Sequence, residues 1–304
     1  MAEPAGSRLA ALVAPDSFKG TFSAPEVAAA IAAGLRTGGR EADEMPVADG
    51  GEGTMQAIVS ALGGEVRTIT ASDPLGRPVE ASFALLADGR GIVETAQASG
   101  LGLVAESERD AWAASTRGTG ELIAAAVEAG AERVIVTVEL DVLCDVRTPF
   151  EQAPSVFGPQ KGAGPEMVKR LEQRLDELAA RLPRDPRSVP MTGAAGGLSG
   201  GLWARHGANL QHGASFVLDT IGFDERMRGA AFVVTGEGRI DSQTLQGKIV
   251  GELATRCRQG GVACHALVGK NELDDFSARI LDLASLSEAT TLEELEEGGR
   301  RIAG

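Results

Sequence analysis

The sequence predicts a two-domain α/β protein in which both ends of the chain contribute to one domain. Residues 9–62 twice show a short apolar run, a polar loop and a helical pattern, which is the order of a βα unit. Residues 230–270 contain two more apolar runs that lead into glycine-containing segments. Residues 66–94 instead alternate apolar and polar positions between turn residues, as antiparallel hairpins do. We therefore predict a discontinuous α/β domain, 1–65 and 225–304, and a second, mixed α/β domain, 66–224.

Local signals predict the individual elements. Residues 9–14 (LAALVA) form an apolar run that Pro15 ends, which predicts the first strand. Ser23 and Glu26 have the spacing of a capping box, which predicts a helix from there to about Leu35. Further predicted strands are 45–48, 133–138, 143–146, 230–235 and 263–268. Further predicted helices are 54–62, 116–129 and 166–182, and 193–205 is predicted as a glycine-rich turn that leads into a helix. The tail from Leu281 to Gly304 is predicted to be mainly a charged helix, with 288–301 exposed to solvent.

Composition excludes several classes of protein. The 43 acidic residues outnumber the 29 basic ones, so a nucleic acid would be repelled. The three cysteines form no CxxC pair, which argues against a zinc site or a disulfide framework. No segment approaches the roughly 18 apolar residues of a membrane helix, and the N-terminus lacks a signal-peptide pattern. We expect a cytoplasmic protein with small-molecule substrates and no nucleic-acid or membrane partner; a homodimer stays open.

Glycine and lysine occur together more often than chance predicts. Glycine supplies 40 of 304 residues, about twice its ordinary share of roughly 7%. Lysine occurs at only five positions, four of them beside a glycine: Lys19, Lys161, Lys248 and Lys270. Glycine lets backbone amides approach an oxyanion, and lysine adds a mobile positive charge. The pairs therefore favour a phosphate-bearing ligand over the alternative of ordinary surface turns.

Acidic residues beside these loops are candidates for metal binding or proton transfer. Asp49 and Glu52 lie in ADGGEGT, where they could hold Mg²⁺ or accept a hydroxyl proton, or could simply stabilise a helix start. Glu237 and Asp241 follow a predicted buried strand. Asp145 lies in the strand-like segment 143–146 and suits an ion pair as well as a base. Neither the P-loop pattern GxxxxGK[ST] nor GxGxxG after the first strand is present, so no standard nucleotide motif decides the function.

Eight segments together resemble the bacterial glycerate kinases that phosphorylate glycerate with ATP. They occur in the order of that family and extend over most of the chain: 14–35 (APDSFKGTFSAPEVAAAIAAGL), 48–54 (ADGGEGT), 70–81 (TASDPLGRPVEA), 94–104 (ETAQASGLGLV), 115–123 (STRGTGELI), 156–163 (VFGPQKGA), 193–202 (GAAGGLSGGL) and 234–248 (VTGEGRIDSQTLQGK). Collinear matches of this density are far more specific than any single motif.

The resemblance implies both a fold and a reaction. The fold is a two-domain α/β enzyme with one Rossmann- or flavodoxin-like parallel-sheet domain. The reaction is ATP-dependent phosphorylation of D-glycerate with Mg²⁺, to 2-phosphoglycerate rather than 3-phosphoglycerate. Members usually carry a segment of the form GGSATNDGG after the strand at 133–138, but here Val138 runs directly into Glu139. This predicts a domain shortened near 138–142, and it leaves open a catalytically impaired homologue that binds glycerate or nucleotide without turnover.

The resemblance and the residue chemistry together assign the expected roles. Lys19 and Lys248 are expected to bind phosphates, Asp49 or Asp145 to accept the hydroxyl proton, and Arg117 or Lys161 to bind the substrate carboxylate. The expected catalytic residues are Lys19, Asp49 and Asp145. The expected substrate- and phosphate-binding residues are Asp16, Ser17, Gly50, Gly51, Arg117, Lys161, Gly196, Gly197 and Lys248. The expected metal ligands are Glu52, Glu237 and Asp241.

Overall fold

A computed structural model describes residues 9–135, 141–241, 244 and 248–304. The chain divides into two compact units: unit 1 comprises Met1–Asp49 and Ala214–Gly304, and unit 2 comprises Gly50–Gly213. Both junctions lie earlier in the chain than the predicted boundaries at 65 and 225. The helix that begins at Thr54 belongs to unit 2, where Glu94 accepts hydrogen bonds from its first turn.

The described residues form alternating strands and helices. The strands are β1 (Ala11–Val13), β2 (Ala42–Glu44), β3 (Glu65–Ser72), β4 (Pro78–Leu85), β5 (Arg90–Val93), β6 (Arg133–Ile135), β7 (Asp141–Cys144), β8 (Asn209–His212), β9 (Val233–Ile240), β10 (Cys264–Asn271) and β11 (Ser285–Glu288). The helices are α1 (Ala24–Thr37), α2 (Thr54–Leu62), α3 (Ala96–Ser99), α4 (Arg117–Glu128), α5 (Ala153–Phe157), α6 (Pro165–Ala179), α7 (Ala194–His206), α8 (Gly213–Thr220), α9 (Phe223–Arg228), α10 (Ile249–Gly260), α11 (Asp275–Leu281) and α12 (Leu292–Ala303). No described helix is long and apolar enough to cross a membrane.

Unit 1 is built on a parallel sheet with the strand order β2-β1-β9-β10-β11. In order along the chain this is 2-1-3-4-5, the arrangement of flavodoxin-like folds. Buried Val13, Val234 and Leu267 of three adjacent strands pack with Ile31 and Leu35 of α1. The predicted α/β fold with a flavodoxin-like sheet is therefore confirmed.

The strands β9 and β10 extend beyond their predicted ends at 235 and 268. They pair in parallel as far as Ile240 and Asn271. A Cβ atom on Gly236 would overlap the carbonyl oxygen of Leu267, and one on Gly269 would overlap that of Gly238. These glycines therefore mark close backbone approach inside a sheet, whereas the sequence suggested loops. The strand predicted at 45–48 is also misplaced, because β2 ends at Glu44.

The C-terminal helix α12 packs against α1, although its charged sequence predicts an exposed helix. A Cβ on Gly34 would overlap the carbonyl oxygen of Glu296, and one on Gly299 would overlap that of Ile31. Leu295 is fully buried on the same face. The prediction of one mainly helical tail from Leu281 to Gly304 is wrong, because β11 occupies Ser285–Glu288. The charged side chains of α12 are mostly exposed, but glycine at the contact lets the two backbones approach and buries the opposite face of the helix.

Unit 2 contains a mixed sheet in the order β3-β4-β5-β6 and a separate parallel pair of β7 and β8. The pairs β3/β4 and β4/β5 are antiparallel, as the alternating pattern of 66–94 predicts, and β5/β6 is parallel. Phe83, Leu122 and Val134 lie in the buried core beneath this sheet. Residues 136–140 lie outside the described residues, so the prediction of a shortened segment near 138–142 is not tested.

Candidate functional site

The switch point of the unit 1 sheet gathers three buried acidic residues. In the sheet, β1 has β2 on one side and β9 on the other, so the strand order reverses direction at β1. Sheets of this kind bind ligands at the carboxyl ends of the strands at such a switch point. Asp16 follows β1, and its amide donates to the carbonyl of Gly236 in β9 at 2.8 Å. Asp16, Asp49 and Glu237 are only 4%, 5% and 7% exposed. We call these three residues the carboxylate cluster.

Burial and mutual repulsion make two of these carboxyls unusually basic. Burial raises the pKa of Asp16 to about 7, and the charge of Asp49 adds to the effect. Burial likewise raises the pKa of Glu237 to about 7, although Lys248 and a hydrogen bond from Thr244 oppose the change. The Thr244 hydroxyl donates to Glu237 Oε1 at 2.9 Å. The cluster therefore exchanges a proton near neutral pH, which suits a general base.

Two lysines lie beside the acidic groups of unit 1. Lys19 Nζ lies 3.4 Å from Asp49 Oδ2, and its side chain is 61% exposed. Lys248 is the residue directly before α10, and its Nζ lies 3.7 Å from Asp241 Oδ1. The structure thus brings the predicted residues Asp16, Lys19 and Asp49 together, and Lys248 acts electrostatically on Glu237. Carboxylates and mobile ammonium groups in one place suit a substrate with transferable phosphate.

The three predicted metal ligands do not lie in one unit. Glu237 and Asp241 belong to unit 1, where the Asp241 charge raises the pKa of Glu237. Glu52 is an exposed residue of unit 2, in the turn before α2. Within the described part of the chain, no three His, Cys, Asp or Glu side chains form a group that could hold a metal ion.

The glycine turn at the start of unit 2 is already engaged with a side chain. Gly50 has φ +96°, and a Cβ there would lie 2.5 Å from Gly213 Cα. Glu94 is buried and accepts hydrogen bonds from the amides of Gly53 at 3.0 Å and Met55 at 3.2 Å. The carboxylate thus binds two amides at the start of α2, which lie beside the predicted phosphate contacts Gly50 and Gly51. The sequence analysis did not assign Glu94 a role, although Glu94 follows β5 directly and opens the segment 94–104.

A second candidate site in unit 2 contains three other predicted residues. Lys161, Gly196 and Gly197 line a cavity of about 540 Å³. Lys161 Nζ would lie 4.0 Å from a Cβ on Gly196. Gly196 and Gly197 have φ of 70° and 97°, left-handed values that glycine adopts without strain. The turn leads into the regular part of α7, whose N-terminal end favours anions.

The remaining predicted residues lie in simpler surroundings. The Ser17 amide donates to Asp16 Oδ1 at 2.6 Å, so Ser17 helps to hold that carboxyl. Arg117 is 78% exposed, and its Nε donates to Glu121 Oε1 at 2.8 Å. Asp145 is an exposed residue of unit 2 that follows β7. Their predicted roles in catalysis and substrate binding stay predictions.

The sequence and the fold are both similar to those of known glycerate kinases. The model of the glycerate kinase family matches residues 11–139 and 136–297. The glycerate kinase of Bacillus subtilis is 37% identical over 78% of each chain, and that of Halalkalibacterium halodurans is 34% identical over 96% of this chain and 97% of the relative. The glycerate 2-kinase of Escherichia coli is 35% identical over 78% of this chain and 79% of the relative. A crystal structure from Salmonella typhimurium LT2, provisionally described as glycerate kinase 2, covers 97% of both chains with TM-score 0.81 and 30% identity.

Proposed function

Because this chain belongs to the glycerate kinase family, we propose that it transfers the γ-phosphoryl group of ATP to a hydroxyl of D-glycerate. The carboxylate cluster of Asp16, Asp49 and Glu237 beside Lys19 carries this proposal. It lies at the switch point of the unit 1 sheet, where folds of this kind bind ligands. It combines a group that exchanges protons near neutral pH with cations for phosphate oxygens.

In the proposed step, a glycerate hydroxyl oxygen forms a bond to the γ-phosphorus while the bond from that phosphorus to the bridging β–γ oxygen breaks. The hydroxyl proton moves to the carboxylate of Asp16, and ADP leaves. A base with a pKa of about 7 is ionised in much of the protein at neutral pH and still holds the proton well. The Ser17 amide keeps one Asp16 oxygen in place, which leaves the other for the hydroxyl.

Lys19 and Lys248 supply positive charge to the transferred phosphoryl group. Lys19 is mostly exposed and holds Asp49 at 3.4 Å, so its ammonium can turn to a phosphate oxygen at small cost. Phosphoryl transfer depends mainly on positioning and on charge neutralisation, because the three equatorial oxygens carry the charge of the transition state. Replacing either lysine by alanine is therefore expected to lower kcat/KM and to leave the free energy of unfolding nearly unchanged.

Magnesium fits the donor set of unit 1 as an ion shared with the nucleotide. Mg²⁺ prefers oxygen ligands and usually takes one or two carboxylates, with phosphate oxygens and water completing its shell. The repulsion of Asp49 and Glu237 on buried Asp16 shows negative charge that a cation would neutralise. Asp49 and Glu237 would hold the ion, which would neutralise negative charge on the nucleotide phosphates.

The proposed product is 2-phosphoglycerate. The relative from Escherichia coli that is 35% identical to this chain is described as a glycerate 2-kinase. A kinase that uses ATP in this way acts in the cytoplasm, and the free thiols of Cys144, Cys257 and Cys264 fit that reducing compartment. We do not propose the homodimer, for which the comparisons give no support.

The test is ADP release by the purified protein with Mg-ATP, with and without D-glycerate. The proposal predicts ADP release that depends on glycerate and stops when EDTA removes divalent ions. Adding enolase without phosphoglycerate mutase then converts the product to phosphoenolpyruvate only if it is 2-phosphoglycerate. A folded protein that binds ATP without forming product would contradict the proposal and favour the catalytically impaired homologue.

A further inference from the structure

The helix α6 of unit 2 has an apolar face that the described part of the protein covers only in part. Its leucines at positions 171, 175 and 178 recur at helical spacing, yet Ala179 is the one fully buried residue of this helix, all of which is described. Leu178 is 45% exposed. An amphipathic helix of a globular protein normally buries such a stripe against the core. Here the three leucines line the cavity of about 540 Å³ instead.

Other residues that line this cavity are also apolar. Leu101, Phe157 and Leu202 line it from other segments of unit 2. Its volume lies within the roughly 300–1,000 Å³ that small-molecule sites usually have. The walls therefore suit a flat or hydrophobic group of a bound small molecule.

The charged residues of the cavity are mostly positive, although the whole chain has a formal net charge of -14. Arg109, Lys161, Arg174 and Arg205 line it, whereas Asp110 is the one acidic residue among the lining residues that the structure describes. Asp110 Oδ1 already accepts hydrogen bonds from the amides of Trp112 at 2.8 Å and Ala113 at 3.2 Å. The excess of positive charge favours an anionic ligand.

Two of these cations lack the partners that charged groups in folded proteins usually have. Arg109 Nε is buried and has no hydrogen-bond partner within the described residues, while its Nη1 donates to the Gln160 carbonyl at 3.3 Å. Lys161 forms no salt bridge with any carboxylate that the structure describes, and burial lowers its pKa. An unpaired buried donor destabilises the protein, and a bound anion that accepts its hydrogen bond would remove that cost.

From this combination we infer that the unit 2 cavity binds the nucleotide, with the adenine base against the leucine face of α6 and phosphate at Lys161 and the Gly196-Gly197 turn. The inference rests on the proposed function, since it takes its ligand from that reaction. Every carbon of glycerate carries an oxygen, so glycerate has no apolar face to place against three leucines. The nucleotide combines an aromatic base with several negative charges, which matches both kinds of wall.

Photolabelling locates the base directly in the wild-type protein. 8-Azido-ATP is bound in the dark, irradiated, and the labelled peptides are identified by mass spectrometry, with excess ATP as the competitor. The inference predicts ATP-protected labels on peptides from 99–116 or 150–206. Labels confined to peptides of unit 1, or labels that ATP does not displace, would overturn it.

Titration calorimetry with a non-hydrolysable ATP analogue measures the contribution of each wall. Leu175→Glu places a carboxylate against the base and is expected to weaken binding at least about tenfold. Gln173→Glu adds the same charge to an exposed position of α6 outside the cavity and is expected to bind as the wild type does. Lys161→Ala is likewise expected to weaken binding. Its control, Lys169→Ala, removes an exposed lysine paired with Glu166 and is expected to bind as the wild type does.

Turnover separates this inference from the proposed function. If the wild type forms phosphoglycerate but Leu175→Glu and Lys161→Ala bind the analogue normally, the cavity assignment is wrong and the proposed function stands. If both variants lose binding while the wild type binds nucleotide without phosphorylating glycerate, the cavity assignment stands and the proposed function is wrong. Circular dichroism confirms that each variant is folded before its affinity is interpreted.

Discussion

Replacing Asp16 by asparagine should remove activity and at the same time stabilise the protein. Asparagine has nearly the same shape and can still accept the hydrogen bond that the Ser17 amide donates to Asp16 at 2.6 Å. It cannot accept a proton from a glycerate hydroxyl. General base catalysis contributes about 10²–10⁴-fold, so we expect kcat to fall by that factor.

The gain in stability follows from the raised pKa of Asp16. Below pH 3.8 the carboxyl is protonated in both the folded and the unfolded state and has no effect. Between pH 3.8 and about 7 the unfolded state gives up the proton while the folded state keeps it, so stability falls as the pH rises. Above about pH 7 the full cost of the buried charge is present. The difference between 3.8 and about 7 corresponds to at most about 4 kcal/mol.

Thermal unfolding across this pH range tests the prediction. Asp16→Asn should unfold at a higher temperature than the wild type above neutral pH, and the two melting curves should converge toward about pH 4. Asp185→Asn is the matched control, because hydrogen bonds from Arg187 lower the pKa of Asp185 to about 2. It should not stabilise the protein, and it should leave kcat unchanged. An Asp16→Asn variant that keeps wild-type kcat, or that melts below the wild type above neutral pH, would refute the reasoning.

Three further predictions concern packing, helix capping and phosphate binding. Gly34→Ala should lower the free energy of unfolding, measured in urea titrations, by about 2–3 kcal/mol, because its methyl group would overlap the backbone of α12. Gly120→Ala is the control: a Cβ at this position of α4 meets open space, so the variant should raise the free energy of unfolding by up to about 1 kcal/mol. Glu94→Gln should cost about 1–2 kcal/mol in the same titration, since one amide at the start of α2 loses its acceptor; no change would argue against capping by Glu94. Lys19→Ala should lower kcat/KM about a hundredfold in the ADP-release assay, and Lys270→Ala, also exposed in unit 1, should not; equal effects would contradict a specific role of Lys19.

Local sequence patterns predicted much of the fold. The capping box of Ser23 and Glu26 forms, with the Ser23 amide donating to Glu26 at 2.8 Å, and α1 begins at the next residue. The helix predicted at 54–62 has those bounds in the structure. Such elements depend on residues a few positions apart, and their apolar spacing is visible in the chain. The predicted ends of β9 and β10 were wrong, and the buried face of α12 was not predicted, for a different reason. The glycines of these elements lie against the backbone of segments that are distant in the sequence.

The proximity of the carboxylate cluster could not be read from local patterns. Asp16 and Glu237 are 221 positions apart in the chain, and they approach because β1 and β9 are neighbours in the sheet. Local patterns placed Glu237 after a predicted buried strand, but strand order depends on long-range pairing that periodicity does not encode. The leucine face of α6 shows the same limit, since its spacing predicts a buried helix face and the structure buries it only in part.

The pH dependence of kcat/KM for D-glycerate tests most directly whether the carboxylate cluster carries phosphoryl transfer. The measurement uses the wild-type protein with saturating Mg-ATP from about pH 5 to about pH 9. We predict that kcat/KM rises with pH at acidic pH and then reaches a plateau, because one carboxyl of the cluster must be ionised to accept the proton. Turnover that stays constant across this range, or no ADP release that depends on glycerate at any pH, would contradict the account.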